Sequence, residues 1–383
     1  YEIMPSLVGS EMCIRDRRSV VLQMPVTFPP DTMNGRMLSG LGVPDVRGTM
    51  GTFFFYTEEG LPDIRSEFGG KILEIMVDKN EARSVILGPK DTEVPVAFRV
   101  NRENSTVEIE VQGQSQKVGE REWSDFYTMY FPLALFTGVK GTGRFYVESI
   151  DPLKIYLSPV SLDPREPFFQ ISYTDSFSRE LVDDVGLYKT LGWAVDTWSL
   201  NEGKTDEEIF LQDMNFVVDK REEITFNEME KRDYDLFISV FSASDRIQHL
   251  FWRYIDKGHP MYTEEGAKRY GDEILRLYKR YDSITGKVLN KYVDENTTLI
   301  VLSDHCFNSF RKAVNINTWL VENGFMTLKG RSRNDYTLDD LFGKGIFWPN
   351  VDWNKTKAYS LGLGEICLLY TSDAADEGLG VDL

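Results

Sequence analysis

Two short, heavily apolar runs, YDLFISVF ending at Phe241 and TTLIVLSD ending at Asp304, are set among long stretches of helical period, and this restricts the fold more than any other feature. Such runs suit strands buried on both faces, which occur where helices cover a parallel sheet. The helical candidates around them are Asp206 to Glu230, Thr263 to Tyr292 and Asn317 to Asn323. The expected fold class is therefore α/β, a mostly parallel sheet flanked by helices. Ligands of such sheets sit outside the carboxyl ends of the strands, so chemistry is to be sought in the residues that follow each run.

Upstream the period changes twice. From Arg18 to about Thr57 an apolar strand, SVVLQMPV, runs into the Pro- and Gly-rich TFPPDTMNGRMLSGLGVPDVRGTMG, which reads as long loops with several forced turns. The GLG within it is no dinucleotide fingerprint, because Pro44 follows at once and no amphipathic helix opens there. Between about Leu61 and Pro164 strand follows strand: KILEIMVD, SVILGP, VAFRVN, STVEIEVQG, GRFYVESI and LKIYLSPV. Their alternation predicts an antiparallel sandwich or rolled sheet, with nothing catalytic in it. The expected organisation is a core segment at 18–60, an inserted β-rich domain at 61–164 and a metal-binding α/β core at 165–366.

The two ends read differently from the rest. VGSEMCIRD and CLLYTSDAADE resemble translations of one sequencing adaptor read in opposite directions, so residues 1–17 and 367–383 are expected to be artefactual tails around a native segment, Arg18 to Ile366. On that expectation the native start and stop are both missing.

The net charge is −18, of which −5 falls in those end segments, leaving −13. An acidic chain of this kind argues against broad nucleic-acid or anionic-membrane binding, which needs clustered Lys and Arg. No apolar run approaches the roughly 18 residues of a membrane span. Outside the end segments Cys306 is the single cysteine, so no disulfide framework is expected and a reducing, cytoplasmic compartment is favoured, although a leader upstream of Arg18 would leave no trace here.

The first apolar run delivers SASDRIQH. Asp245 and His249 are four residues apart, so on a helix they share a face and could hold one divalent cation through an oxygen and a nitrogen. Taken alone, an Asp at a helix start is more often an N-cap, and a His four residues later more often packs or bonds locally. The second run delivers SDHC, with Asp304 and His305 adjacent. Both pairs are carboxylate plus imidazole, both stand at the carboxyl end of an apolar run, and two of the chain's three histidines occupy them. If the two runs are neighbouring parallel strands, the four side-chain tips should gather within roughly 8 Å, with no ligand from the β-rich block. His259 precedes Pro260 and reads as a turn residue or as part of a substrate rim. Arg246 reads as a partner for a carboxylate or a phosphate oxygen, and so as part of the same substrate rim, or as a surface residue. Phe251, Trp252 and Tyr254 read as core.

SASDRIQHLFWRYIDKGHPMY together with LIVLSDHCFNSFRKAVNINTWLVENGF resembles the type I phosphodiesterase and nucleotide pyrophosphatase branch of the alkaline phosphatase superfamily, and within it the predicted phosphohydrolases and phosphomutases. The likeness extends through PVTFPPDTMNGRMLSGLGVPDVRGTMGTF, GWAVDTWSLNEG and DWNKTKAYSLGLG. The resemblance implies a mixed sheet flanked by helices with a β-rich insertion, and two divalent cations, usually zinc and in some branches manganese. It implies that Asp245 and His249 ligate one metal while Asp304 and His305 ligate the other. The family's Thr or Ser nucleophile would lie upstream of Arg18, so no catalytic residue is named and this stretch alone is expected to be inactive. The implied activity is two-metal phosphoryl transfer, hydrolytic in the first reading, on a small phosphorylated substrate. The alternatives are a phosphomutase, which returns the group to substrate, and a non-catalytic glycan- or partner-binding protein on a degenerate core. Where the family has Gly after the Asp-His pair this chain has Cys306, read as a packing residue rather than a soft ligand. Cys306 lacks the C-x-P-x-R context of a sulfatase.

Overall fold

The computed structural model describes residues 17–60, 66, 69–134, 137–312, 314–329, 348–361 and 364–369. Most of the two end segments read above as artefactual therefore lies outside the described residues. In chain order come β1 (Ser19–Leu22) and β2 (Gly35–Leu38), then β3 (Phe54–Thr57), β4 (Lys71–Glu74), β5 (Glu81–Leu87), β6 (Glu93–Asn101), β7 (Thr106–Val111), β8 (Gln114–Gly119), β9 (Tyr127–Ala134), β10 (Thr137–Gly143), β11 (Phe145–Ile150), β12 (Leu153–Leu157) and β13 (Ser161–Leu162). β14 (Ser172–Tyr173) precedes helices α1 (Phe177–Val185), α2 (Trp198–Asn201) and α3 (Glu207–Lys231). After β15 (Leu236–Ser239) come α4 (Ala243–Ile255), α5 (Glu264–Tyr270) and α6 (Glu273–Tyr292).

The mixed α/β core is organised by β1. Its four residues are buried, and their side chains alternate as a strand requires. Val20 and Leu22 pack with Phe177, Leu181 and Tyr188. Val21 packs on the other face with Met33 and Met37. The sheet order is β14-β2-β1-β15, with β1 parallel to both neighbours and β14 antiparallel on β2. The register sets Ser19 beside both Gly35 and Leu236. β2 lies inside the stretch expected to be all loop. Gly35 is what permits it: φ is +141° there, and a Cβ would meet the Ser19 carbonyl oxygen at 1.9 Å.

The helices carry the caps that their sequence offers. Asp206 accepts from the Ile209 N–H at the start of α3, with Glu207 and Glu208 in the first turn. The helix expected over Thr263 to Tyr292 divides into α5 and α6 at Gly271 and Asp272, two poor interior helix formers. α4 buries Ala243, Arg246, Ile247, Leu250, Phe251 and Tyr254, a stripe of helical period, against Phe210 and Met214 of α3.

The β-rich stretch forms three sheets, ordered β5-β6-β7-β8, β11-β12-β3-β4 and β13-β10-β9, around one core containing Tyr56, Phe98, Ile109, Phe131 and Phe145. β3 lies before residue 61 yet pairs with β12 and β4, so this block reaches across the boundary expected at 60/61. Residues 306–383 make a second compact unit. In it α7 (Ile316–Glu322) is capped by Asn315 and packs with Val351 and Ala358. A two-residue ladder joins β16 (Ala358–Tyr359) to β17 (Cys367–Leu368), which falls at the start of the segment read as an end tail. Among the described residues no helix is long and apolar enough to cross a membrane.

The two apolar runs also depart from expectation. TTLIVLSD is extended but belongs to no strand, and Ile300, Val301 and Leu302 are 72%, 72% and 79% exposed. β15, expected to be buried on both faces, is only half-buried. An apolar run reports β-propensity; a strand needs a neighbour with free backbone groups, and short apolar runs do not reveal whether one exists. The exposed strip is an aggregation hazard. Val301→Lys is expected to change the urea unfolding free energy by no more than about 0.5 kcal/mol while lowering light scattering from concentrated solutions. A loss of several kcal/mol would place Val301 in a core instead.

Candidate functional site

The chain passes from β15 into α4 with the Val240 N–H still bonded to the Leu22 carbonyl, so the turn stays at the carboxyl end of β1. The Tyr281 hydroxyl donates to the Phe241 carbonyl oxygen at 3.4 Å. α4 opens at Ala243 and places Asp245 in its first turn, where the helix dipole favours a carboxylate. His249 follows one turn later on the same face.

The two oxygens of Asp245 are divided between different partners. Oδ2 accepts from Arg246 Nη1 at 2.6 Å. The Arg246 guanidinium stacks on the Trp193 ring, 3.1 Å from its centroid, and the residue is 5% exposed. Burial pulls its pKa down to about 10, which still leaves it charged at neutral pH. Oδ1 is turned to the imidazoles: His249 Nε2 lies 3.4 Å away and His305 Nε2 3.7 Å. His305 Nε2 is also 3.7 Å from Asp304 Oδ2. The structure thus brings both sequence pairs to one place, though not through the second strand that was expected to deliver them.

These separations have a chemical meaning. A charge-assisted hydrogen bond would draw nitrogen and oxygen to about 2.7–2.9 Å. Two ligands on a tetrahedral cation with bonds of about 2.0–2.2 Å stand roughly 3.4 Å apart. The Asp245–His249 and Asp245–His305 spacings are near the second value. Among the described residues, however, no three Asp, Glu, His or Cys side chains form a group that could hold a metal ion. Both imidazoles gather on one carboxylate oxygen instead of surrounding a common point. The side chains of His249 and His305 are about half exposed, that of Asp304 more so, and that of Asp245 largely covered.

The other sequence candidates fall as follows. Arg246 does not face solvent at a substrate rim; it bonds a carboxylate from a buried position. His259 stands in the turn between α4 and α5, where its Nδ1 accepts from the Met261 N–H at 3.0 Å, leaving Nε2 alone for any other role. Cys306 is exposed and takes part in no disulfide among the described residues.

Sequence reading missed the support beneath Arg246. Trp193 is held by a hydrogen bond from its Nε1 to Thr197 Oγ1 at 3.1 Å and by stacking on Trp198. The loop that bears it is fastened by the buried Lys189, whose Nζ donates to both Asp213 oxygens at 2.6 and 2.7 Å and to the Ala194 carbonyl at 3.1 Å. Asp196 in the same loop accepts from Tyr156 of β12, and burial raises its carboxyl above the usual range. The motif GWAVDTWSLNEG was visible, but nothing local to it marks which residue it would meet.

The family model described as type I phosphodiesterase / nucleotide pyrophosphatase matches residues 115–360, more than half of the chain, beginning within β8. No curated protein and no solved structure matches.

Removing one partner of a buried ion pair leaves the other charge uncompensated, at a cost of about 3–5 kcal/mol. Lys189→Met is expected to destabilise the chain by that amount in urea unfolding, and Lys189→Met with Asp213→Leu to recover most of it. Equal loss in the single and double variants would show that the pair does not hold the loop.

Proposed function

The chain belongs to the type I phosphodiesterase / nucleotide pyrophosphatase family, and from that premise we propose that it is a metal-dependent phosphoesterase whose two divalent cations are held by Asp245 with His249 and by Asp304 with His305. The observation that carries the reading is the spacing within each pair, Asp245 with His249 and Asp304 with His305, longer than direct hydrogen bonds and near the separation of ligands sharing a cation. Substrate charge supports it too. A phosphoryl group is anionic and the chain carries −18, so a binding site needs a local excess of positive charge. The guanidinium in contact with Asp245, that of Arg246, is buried and bonded to it. Cations at the carboxylates would supply the missing charge and polarise the phosphoryl oxygen.

The chain's own residues have separate tasks in this reading. Arg246 occupies Asp245 Oδ2 and so fixes which oxygen faces the site. Trp193 keeps the guanidinium in place. His249 and His305 offer Nε2 toward that oxygen, and the mixed nitrogen and oxygen donors suit zinc, with manganese an acceptable second. The substrate class is a small phosphodiester or pyrophosphate, bound where the side chains are open to solvent.

Zinc competition against a chromophoric chelator tests the assignment. His249→Ala and His305→Ala are each expected to weaken zinc by more than about 100-fold, Arg246→Gln by about 10–100-fold as a support of a ligand, and Cys306→Gly by no more than a few-fold. Inorganic phosphate should bind, by calorimetry, to the zinc-loaded chain and not to the chelator-treated one. Unchanged zinc affinity in both histidine variants would overturn the ligand assignment.

A further inference from the structure

Arg221, on α3, is 7% exposed, and its Nη1 is buried without a hydrogen-bond partner among the described residues. It lines two adjoining clefts of about 260 and 200 Å³ including their open mouths, each with inner room for about one water-sized particle. Gln23, the residue after β1, lines the first; Phe241 and Ser242, the residues after β15, line the second. The guanidinium therefore sits at the carboxyl ends of two parallel strands, beneath the start of α4.

Its surroundings do not neutralise it. The two lysines on the first cleft are already satisfied: Lys189 Nζ by both Asp213 oxygens, and Lys220 Nζ by the Val185 carbonyl at 2.6 Å and Glu223 at 2.7 Å. The groups acting most directly on Arg221 are two phenols, Tyr188 and Tyr281, and burial raises the pKa of both, so they carry no negative charge at neutral pH. Their hydroxyls donate to the carbonyls of Ser178 and Phe241. A buried cation without a counter-charge costs several kcal/mol. An anion in the cleft would remove that cost, and the narrow inner room favours a small monatomic one over phosphate or sulfate.

We propose that Arg221 Nη1 and these clefts form a monatomic-anion site, filled by chloride in ordinary solution, which ties α3 to the turn between β15 and α4. None of the residues lining the clefts belongs to the carboxylate and imidazole cluster, and the site does not depend on metal. Anion binding to the folded state alone raises stability by mass action.

Thermal unfolding of the chain, treated with chelator, is measured in sodium chloride and in sodium gluconate at equal ionic strength. Chloride is expected to raise the midpoint by about 2–4 °C along a single-site saturation curve. Arg221→Met should lose that dependence while keeping at least the wild-type midpoint in gluconate. Equal midpoints in the two salts, or the same chloride response in the variant, would overturn the proposal. Should Arg221→Met fail to fold, crystals of the unaltered chain grown in bromide decide it. An anomalous peak in contact with Arg221 Nη1 supports the site, and its absence there overturns it.

Discussion

The pairing of β1 with a parallel neighbour on each edge is the constraint from which the rest follows. A parallel neighbour cannot be reached by a tight turn, so each connection must travel over or around the sheet. Between β1 and β2 that excursion is the Pro-rich stretch 23–34, whereas the β-rich block, with a core of its own, is inserted between β2 and its antiparallel neighbour β14. The second connection passes through α1 to α3 and returns as β15, which sets Leu236 beside Ser19. The carboxyl ends of β1 and β15 then lie together, and the turn after β15 opens the helix that bears Asp245 and His249. Placement of the site is in this sense a result of hydrogen-bond register, not of local sequence.

Among the described residues three cations of this core are buried, and their surroundings differ. Lys189 has a carboxylate and a carbonyl. Arg246 has a carboxylate on one side and an indole face on the other. Arg221 has neither, which is why an anion is assigned to it. Burial costs of this size are tolerated where they fix geometry, and the geometry fixed here is the orientation of the Asp245 carboxylate. A chain with so strong a negative charge gains little from surface cations at such a site, because exposed charge is screened and mobile.

Much of this was legible in the sequence. Helical period gave α3 and α7 to within a residue and ran α5 and α6 together as one helix, and alternation gave six strands of the β-rich block. The remainder is physical in origin. β8, QSQKVG, is mostly polar and β10, TGVKGTG, is largely glycine and threonine, so neither shows the apolar alternation that marks a strand; β9 does alternate, through Tyr127, Met129 and Phe131, but contains Pro132, which demotes a run as a strand. β2 was hidden by the turn residues around it. TTLIVLSD has the composition of a strand and no ladder, since composition carries no information on whether an edge is available. Of the site, the four carboxylate and imidazole residues were readable from spacing. The stack of Arg246 on Trp193 was not, because the two are brought together only by the tertiary fold.

X-ray absorption at the zinc edge, on the chain loaded with zinc, tests the central claim that Asp245, His249, Asp304 and His305 form a cation site. The account requires a first shell of nitrogen and oxygen at about 2.0–2.2 Å with outer-shell scattering from imidazole, lost in His249→Ala with His305→Ala. A shell dominated by sulfur at about 2.3 Å, or one without imidazole scattering, would contradict it.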